Sequence, residues 1–120
     1  MLIKNEEHTI DDKFEMRGGS GTIHIKHVVD QDVLCDKGRL YAQITVEPGC
    51  SIGSHEHVNE KEIFYILSGH AQVTDNGVKR MLNPGDVLVT GHESSHAVEN
   101  TGDENLEMMT LILYGDEKHE

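Results

Sequence analysis

The sequence predicts an all-β protein, a sandwich or a barrel built from short strands. Several short runs alternate apolar and polar residues, and Gly, Pro and Asn-Gly turns separate them at regular intervals. No stretch has the periodicity of an amphipathic helix, which argues against a parallel sheet with crossover helices. A chain of 120 residues can bury one core but is short for two, so we expect a single domain over residues 1–120.

The N-terminal part of the chain is predicted to contain two strands and a further edge element. Residues 1–17 are charged and weakly patterned, and they are expected to form an edge strand or an arm. The glycines of segment 17–21 (RGGSG) end any regular element there. Residues 22–29 alternate isoleucines with polar residues and predict a half-buried strand. A turn-prone loop over 30–38 leads to a second alternating strand over 39–47.

The C-terminal part is predicted to consist of strands joined by tight turns. Asn76-Gly77 is a strong hairpin signal, because this pair accepts the positive φ angles of a type I′ turn. The predicted strands are 62–67, the two arms of the hairpin within 70–82, a short buried strand over 87–90, then 96–100 and 106–114, with a solvated tail over 115–120.

The period of a strand also predicts which side chains line the interior. Phe64 and Ile66 share a strand face with Glu62 and should lie beside it inside the protein. In the final strand either of two rows can wall a cavity. One row is Met108, Thr110 and Ile112, and the other is Met109, Leu111 and Leu113.

The charge of the chain limits its partners. There are 22 acidic and 10 basic residues, a formal net charge of -12, which repels phosphate backbones and anionic bilayers. We therefore expect small-molecule or protein partners, with neither nucleic acid nor membrane among them. No signal peptide and no apolar run long enough to span a bilayer is visible, which favours the cytoplasm and reduced thiols.

Three other potential ligand residues have simpler interpretations. His24 and His27 fall on opposite faces of one predicted strand, so solvent or an interface is the expected environment of both. Cys50 adjoins the histidines at 55 and 57 and can be a metal ligand, but we expect an ordinary half-buried thiol at this position.

Two histidines and a glutamate within residues 48–69 have a spacing that suits one metal ion. His55 and His57 leave the same side of an extended backbone, because side chains alternate with period two. The polar run 58–61 suits a chain reversal, after which the next strand brings Glu62 level with the histidines. Imidazoles with one carboxylate bind divalent transition metals such as iron, manganese, nickel or zinc and leave coordination positions free.

These residues resemble a known motif. Gly49, His55, His57, Glu62 and Gly69 match the first motif of the cupin family with every spacing intact.

Residues 85–100 are similar to the second cupin motif. His96 and Asn100 fall at the expected offsets. Gly91 stands where the family usually has proline, and Glu93 stands where it usually has glycine. Both differences concern the path of the loop before His96.

The resemblance implies a double-stranded β-helix, that is, a jelly-roll cupin barrel with a metal inside near one mouth. Cupins use the two histidines and the glutamate of the first motif and the histidine of the second as ligands. The resemblance therefore implies one divalent transition metal ion per chain (iron, manganese, nickel or zinc). Many single-domain members are homodimers in which an N-terminal strand crosses the interface, a role available to residues 1–17. By position, the implied ligands here are His55, His57, Glu62 and His96.

Two classes of function follow from the resemblance. The first is a metalloenzyme acting on a small oxygenated molecule, as a dioxygenase, isomerase, decarboxylase or lyase. The alternative is a non-catalytic module that binds a small molecule or senses a metal. No DNA-binding segment is attached, which favours the enzyme. Four ligands leave two adjacent positions on a six-coordinate ion, whereas four ligands on zinc can complete a purely structural site.

His92 and Glu93 are candidate catalytic residues. They precede His96 by three to four residues, and an imidazole or a carboxyl at the mouth can act as a general acid or base. Both can equally be part of the loop surface.

Overall fold

A computed structural model describes residues 1–115 of the chain. The predicted solvated tail, 115–120, lies outside the described residues except for Gly115. Within the described part the chain forms ten strands and three short 3-10 turns (Asn5–Glu7, Met16–Gly18 and Gln31–Leu34). The strands are β1 (Thr9–Phe14), β2 (Thr22–His27), β3 (Gly38–Val46), β4 (Ser51–Glu56), β5 (Glu60–Ser68), β6 (Ala71–Asp75), β7 (Val78–Leu82), β8 (Val87–Thr90), β9 (Ser95–Glu99) and β10 (Leu106–Tyr114).

The strands form two antiparallel sheets that face each other. The larger sheet has six strands in the order β1-β2-β3-β10-β5-β8, and the smaller has four in the order β4-β9-β6-β7. Strands that are distant in sequence are neighbours in both sheets, as in a jelly roll. The predicted all-β jelly roll is confirmed. Residues 1–17 provide β1, which is the edge strand of the larger sheet.

The core lies between the sheets and follows the strand period. In β3 the buried row is Ala42, Ile44 and Val46, and in β10 it contains Met108, Thr110 and Ile112. The first of the two rows predicted for the final strand is therefore the one that faces inward. Phe64 and Ile66 are 1% exposed and share the inner face of β5 with Glu62, as predicted.

The hairpin between β6 and β7 is confirmed at the predicted turn. Asn76 and Gly77 both have positive φ angles, 48° and 83°, as a type I′ turn requires. One expectation for the neighbouring strand is wrong. The sequence predicts a buried β8, but Val87 and Val89 are each 53% exposed, because they lie on the side of the larger sheet away from the core, where Tyr65 on the central strand β5 is also 45% exposed.

Glycines permit a close backbone contact between β4 and the turn Met16–Gly18. A Cβ atom on Gly53 would lie 2.0 Å from the carbonyl oxygen of Arg17, and one on Gly19 would lie 2.1 Å from that of Ser51. These distances explain why glycines are needed in this part of the chain, since any side chain would overlap backbone atoms. Within residues 1–115, no helix has the length and apolar character needed to cross a bilayer.

Candidate metal centre

Two of the predicted ligands lie opposite each other in the smaller sheet. His55 on β4 pairs with His96 on β9, next to a register shift between Ile52 and His55. The Nε2 atoms of the two imidazoles are 3.0 Å apart. His96 is 1% exposed, so its ring lies fully inside the jelly roll.

The third imidazole belongs to His57, the first residue after β4, and backbone hydrogen bonds position it. The backbone N–H of His57 donates to the carbonyl of Ser94, and the carbonyl of His57 accepts from the N–H of Glu93 at 2.7 Å. This anchoring ties the end of β4 to the loop before β9. His57 is 2% exposed, and its Nε2 lies 3.2 Å from Nε2 of His96.

Glu62 brings a carboxylate to the same point from the larger sheet. It is the third residue of β5 and is 5% exposed. Its Oε1 lies 2.6 Å from Nε2 of His57, 2.9 Å from Nε2 of His96 and 3.9 Å from Nε2 of His55. The structure therefore brings together all four predicted ligands, with donor atoms that lie within 4.8 Å of one another.

The other ring nitrogen of each histidine is already occupied. Nδ1 of His55 donates to the carbonyl oxygen of Gly53 at 2.9 Å, and Nδ1 of His57 donates to Oε1 of Glu60 at 3.0 Å. These contacts place the hydrogen on Nδ1 and leave a lone pair on Nε2 in the neutral rings. Lone pairs that converge at about 3 Å repel each other unless a cation or a proton lies between them. The donor set thus fits a transition metal ion.

His96 and His57 are each held by a second polar residue. Oγ1 of Thr90 lies 2.8 Å from Nδ1 of His96. The guanidinium of Arg39 binds both carboxylate oxygens of Glu60, with Nη2 at 3.0 Å from Oε1, and Glu60 in turn holds His57. Partners of this kind orient metal-binding imidazoles and fix their tautomer.

None of these supporting residues was predicted from the sequence. Glu60 precedes Glu62 by two positions, so the strand period places it on the same face, and that signal could have identified it. No sequence signal marks Arg39 or Thr90. Arg39 acts on His57 through Glu60 on another strand, and Thr90 on the larger sheet reaches His96 on the smaller sheet, so both contacts depend on how the strands assemble.

The electrostatics of the centre favour a positive charge. Burial raises the pKa of the Glu62 carboxyl, but its contacts with His55, His57 and His96 outweigh this effect, so the pKa lies well below its usual value. The pKa of His57 is raised by its hydrogen bond to Glu62, with burial opposing and Glu60 reinforcing the shift. An ionised carboxylate among three buried imidazoles therefore attracts either a proton or a metal ion.

The remaining candidates lie apart from the four-residue cluster. His24 bridges Asp12 and Glu47, and His27 binds Asp11 at 2.7 Å, so both are occupied by carboxylates near the edge of the larger sheet. Cys50 is a free, half-buried thiol that packs against the core.

The two residues predicted as acid or base candidates lie on the loop before β9. The side chains of His92 and Glu93 are 53% and 73% exposed and contact each other at 3.2 Å. Nδ1 of His92 accepts a hydrogen bond from the backbone N–H of Asn59 at 2.6 Å. This loop adjoins His57 through the backbone contact of Glu93, but neither side chain is among the four converging groups.

The chain resembles known proteins, and the resemblance includes the region that contains the four converging residues. A family model described as the Cupin domain matches residues 42–112, which include all four converging residues. The oxalate-binding protein of Thermotoga maritima is 37% identical over 94% of this chain and 93% of its own length. The oxalate decarboxylase OxdC of Bacillus subtilis is 39% identical over 59% of this chain, a match that spans 20% of that enzyme.

A solved structure has the same fold over nearly the whole chain. The crystal structure of a predicted oxalate decarboxylase from Thermotoga maritima superposes with a TM-score of 0.90 at 37% sequence identity, covering 95% of this chain and 99% of the other. The two facing sheets are thus those of a double-stranded β-helix. The family match, the fold and the converging side chains lead to one conclusion: the chain belongs to the cupin family.

Proposed function

We propose that this cupin binds one divalent transition metal ion through His55, His57, Glu62 and His96 and uses it to bind a small dicarboxylate of the oxalate type. The observation that carries the proposal is the convergence of three imidazoles and one carboxylate within 4.8 Å inside the jelly roll. Iron, manganese, nickel and zinc all suit such a donor set. When bound, the metal supplies a Lewis acid that attracts and polarises carboxylate oxygens.

The choice of ligand rests on the chemistry of the site and on its relatives. Four protein ligands leave two adjacent positions on a six-coordinate ion, which suits a ligand that binds through two oxygens. A similar protein that spans nearly the same length is named an oxalate-binding protein. The buried surroundings strengthen the attraction between cation and carboxylate, because little water competes there.

Turnover of the bound acid is the second candidate function. It is favoured by the similarity to part of a decarboxylase and to a structure described as a predicted oxalate decarboxylase. In this case His92 and Glu93, next to the metal-binding loop, are the candidates for moving a proton. A binding module needs neither residue, which separates the two functions experimentally.

The test begins with elemental analysis of protein purified without added metal. We expect about one ion per chain in the wild type and a large loss in His57→Ala, because the variant lacks one ligand. Metal retained by His57→Ala would contradict the assignment.

The second experiment titrates oxalate into metal-loaded protein and into chelator-treated protein. We expect oxalate to bind only to the metal-loaded form.

Release of carbon dioxide and formate from oxalate distinguishes enzyme from binding module. Turnover that is lost in His92→Gln or Glu93→Gln, with oxalate affinity retained, would support catalysis by these residues. Saturable binding without turnover under each of the four metals would support the binding module.

The proposal includes a homodimer located in the cytoplasm. The two free cysteines suit a reducing compartment. On the side away from the core, strands β3, β10, β5 and β8 carry nine uncharged apolar or aromatic side chains, and these nine are called the outer face. They are Tyr41, Ile63, Tyr65, Leu67, Val87, Val89, Met109, Leu111 and Leu113. A second copy of the chain would cover this face.

A further inference from the structure

One buried hydroxyl inside the jelly roll has no hydrogen-bond partner among the residues that the structure describes. Thr110 on β10 is 0% exposed, and its Oγ1 makes no hydrogen bond. A buried hydroxyl without a partner destabilises a fold, and valine has nearly the same shape. Packing alone would therefore favour valine at this position.

Thr110 lies close to the candidate metal centre, as a diagonal neighbour of Glu62. On β10, Ile112 pairs with Glu62, and Thr110 is the next inward-facing residue and pairs with Phe64. Diagonal neighbours of this kind are roughly 7–8 Å apart. The ring of Phe64 stacks on the imidazole of His96, with centroids 4.9 Å apart and planes inclined by 13°. Thr110 thus lies one row deeper than Glu62, beside the ring that covers a ligand imidazole.

The neighbouring side chains in this row are apolar. Ala42 on β3 and Leu88 on β8 flank Thr110 and Phe64, and beyond Ala42 the row continues to His27 on β2, whose Nε2 is held by Asp11. Thr90 lies in the row of Glu62, and its Oγ1 accepts a hydrogen bond from Nδ1 of His96. On β3, β10, β5 and β8, Thr110 is therefore the polar side chain that a ligand extending from the metal into the deeper row would meet.

We propose that Thr110 donates a hydrogen bond to a carboxylate oxygen of the bound dicarboxylate and thereby helps to determine ligand specificity. This inference rests on the proposed function. A carboxylate is only an acceptor, and a hydroxyl is a donor that gains strength when its acceptor is ionised. A dicarboxylate bound to a metal through two oxygens still has two outer oxygens that need donors. A monocarboxylate has no second carboxyl group to make this contact.

The test uses manganese-loaded protein titrated with oxalate and, separately, with formate. Thr110→Val is expected to weaken oxalate binding by about tenfold or more, because a hydrogen bond to a charged group is lost. Manganese affinity and formate binding should not change, and the thermal midpoint of the ligand-free protein should not fall. Thr110→Ser keeps the hydroxyl and should retain most of the oxalate affinity. Thr45→Val is the matched control, because Oγ1 of Thr45 binds Glu107 on the side of β3 away from the core.

Each outcome separates this inference from the proposed function. If the wild type binds oxalate and Thr110→Val binds it equally well, the role of Thr110 is wrong and the proposed function is unaffected. If Thr110→Val loses manganese or formate binding to the same extent as oxalate binding, the residue is structural and the inference is again wrong. If the wild type binds manganese but no oxalate, the proposed ligand fails and the role of Thr110 fails with it.

Discussion

Glu60 links the surroundings of the candidate metal centre to His57, one of its proposed ligands. It is only partly buried, yet it accepts from Nδ1 of His57 and from the guanidinium of Arg39. The hydrogen bond to Arg39 lowers the pKa of Glu60, burial opposes this shift and His57 reinforces it. An ionised Glu60 keeps the hydrogen of His57 on Nδ1, so that the lone pair of Nε2 faces the other three converging groups.

Replacement of Glu60 should therefore weaken metal binding without removing a ligand. For Glu60→Gln we expect a loss of roughly 10–100-fold in metal affinity, because the neutral amide orients the imidazole less strongly. Competition with a chromophoric chelator measures the affinity. The matched control is Glu56→Gln, an exposed residue at the end of β4, which should bind as the wild type does. Equal affinities for Glu60→Gln and the wild type would show that His57 needs no such partner.

His24 provides a pH-dependent contact between neighbouring strands. Its Nδ1 lies 2.7 Å from Asp12 on β1, and its Nε2 lies 3.0 Å from Glu47, which follows β3. The hydrogen bond to Asp12 raises the pKa of His24, burial lowers it less, and Glu47 raises it further. A raised folded-state pKa means that this stabilisation is complete below the unfolded-state pKa of about 6.5 and is lost as pH rises through the folded-state pKa.

Substitution of His24 should therefore lower the free energy of unfolding more at acidic pH than at alkaline pH. The test measures the free energy of unfolding by urea for the wild type and for His24→Gln. Both proteins are measured at about pH 5.5 and at about pH 8.5, with a chelator present. The loss of unfolding free energy should be larger at the lower pH but below about 1 kcal/mol, because exposed ion pairs are screened by solvent. Asp12→Asn should show the same trend. If the loss of unfolding free energy were the same at both pH values, His24 would not carry the charge assigned to it.

The four converging residues, and Glu60 through the strand period, could be predicted from the sequence, whereas Arg39 and Thr90 could not. His55, His57 and Glu62 lie within eight residues of one another, so strand period and one reversal suffice to bring them together. His96 is linked to them only by the resemblance, since nothing local specifies that β9 pairs with β4. Arg39 on β3 reaches Glu60 on β5, 21 positions further along the chain, because both strands flank β10, and this arrangement depends on the register of the whole sheet.

At the level of elements, β4 depends on its contact with the turn Met16–Gly18. Gly53 is in the middle of β4, where its backbone approaches Arg17 and Gly19. Its carbonyl also accepts the hydrogen bond from Nδ1 of His55. Strand packing and the orientation of one ligand therefore depend on the same residue.

Gly53→Ala is expected to lower both stability and metal affinity. The new Cβ would lie 2.0 Å from the carbonyl oxygen of Arg17, so the backbone of β4 must shift. Overpacking of this kind costs roughly 1–3 kcal/mol, measured by urea unfolding of the metal-free protein. Gly91→Ala is the matched control, because a Cβ there meets nothing within 4 Å. If Gly53→Ala bound metal as tightly as the control, Gly53 would have no role in placing His55.

The element boundaries show which local signals are reliable. The Asn76-Gly77 hairpin and the alternation of β2, β3 and β10 appear where the sequence predicts them, because turn chemistry and strand period are local properties. The exposure of one face of β8 was missed, since VLVT is apolar at every position but the last. Whether one face or both faces of such a strand are covered depends on how the sheets pack, which no local pattern encodes.

On the scale of the whole molecule, the outer face differs in charge from the rest of the chain. Tyr65 pairs with Met109 and Val87, and Ile63 pairs with Leu111 and Val89, so the apolar side chains are continuous across three strands. The chain as a whole carries a formal charge of -12, and two copies repel each other wherever acidic surfaces meet. An uncharged, partly aromatic surface is the region where this repulsion is smallest and where apolar burial offsets it.

A single charge on the outer face should therefore separate the two copies. In analytical ultracentrifugation we expect the wild type to sediment at twice the chain mass of 13.4 kDa and Tyr65→Glu at the chain mass. In a two-fold interface each substitution acts twice, because the same surface is used by both copies.

Val78→Glu is the matched control, since Val78 is 54% exposed on β7 in the smaller sheet. This variant should remain dimeric. A monomeric wild type would exclude the dimer. A dimer that persists in Tyr65→Glu would exclude the outer face and favour an interface made by residues 1–17, where β1 forms the edge of the larger sheet.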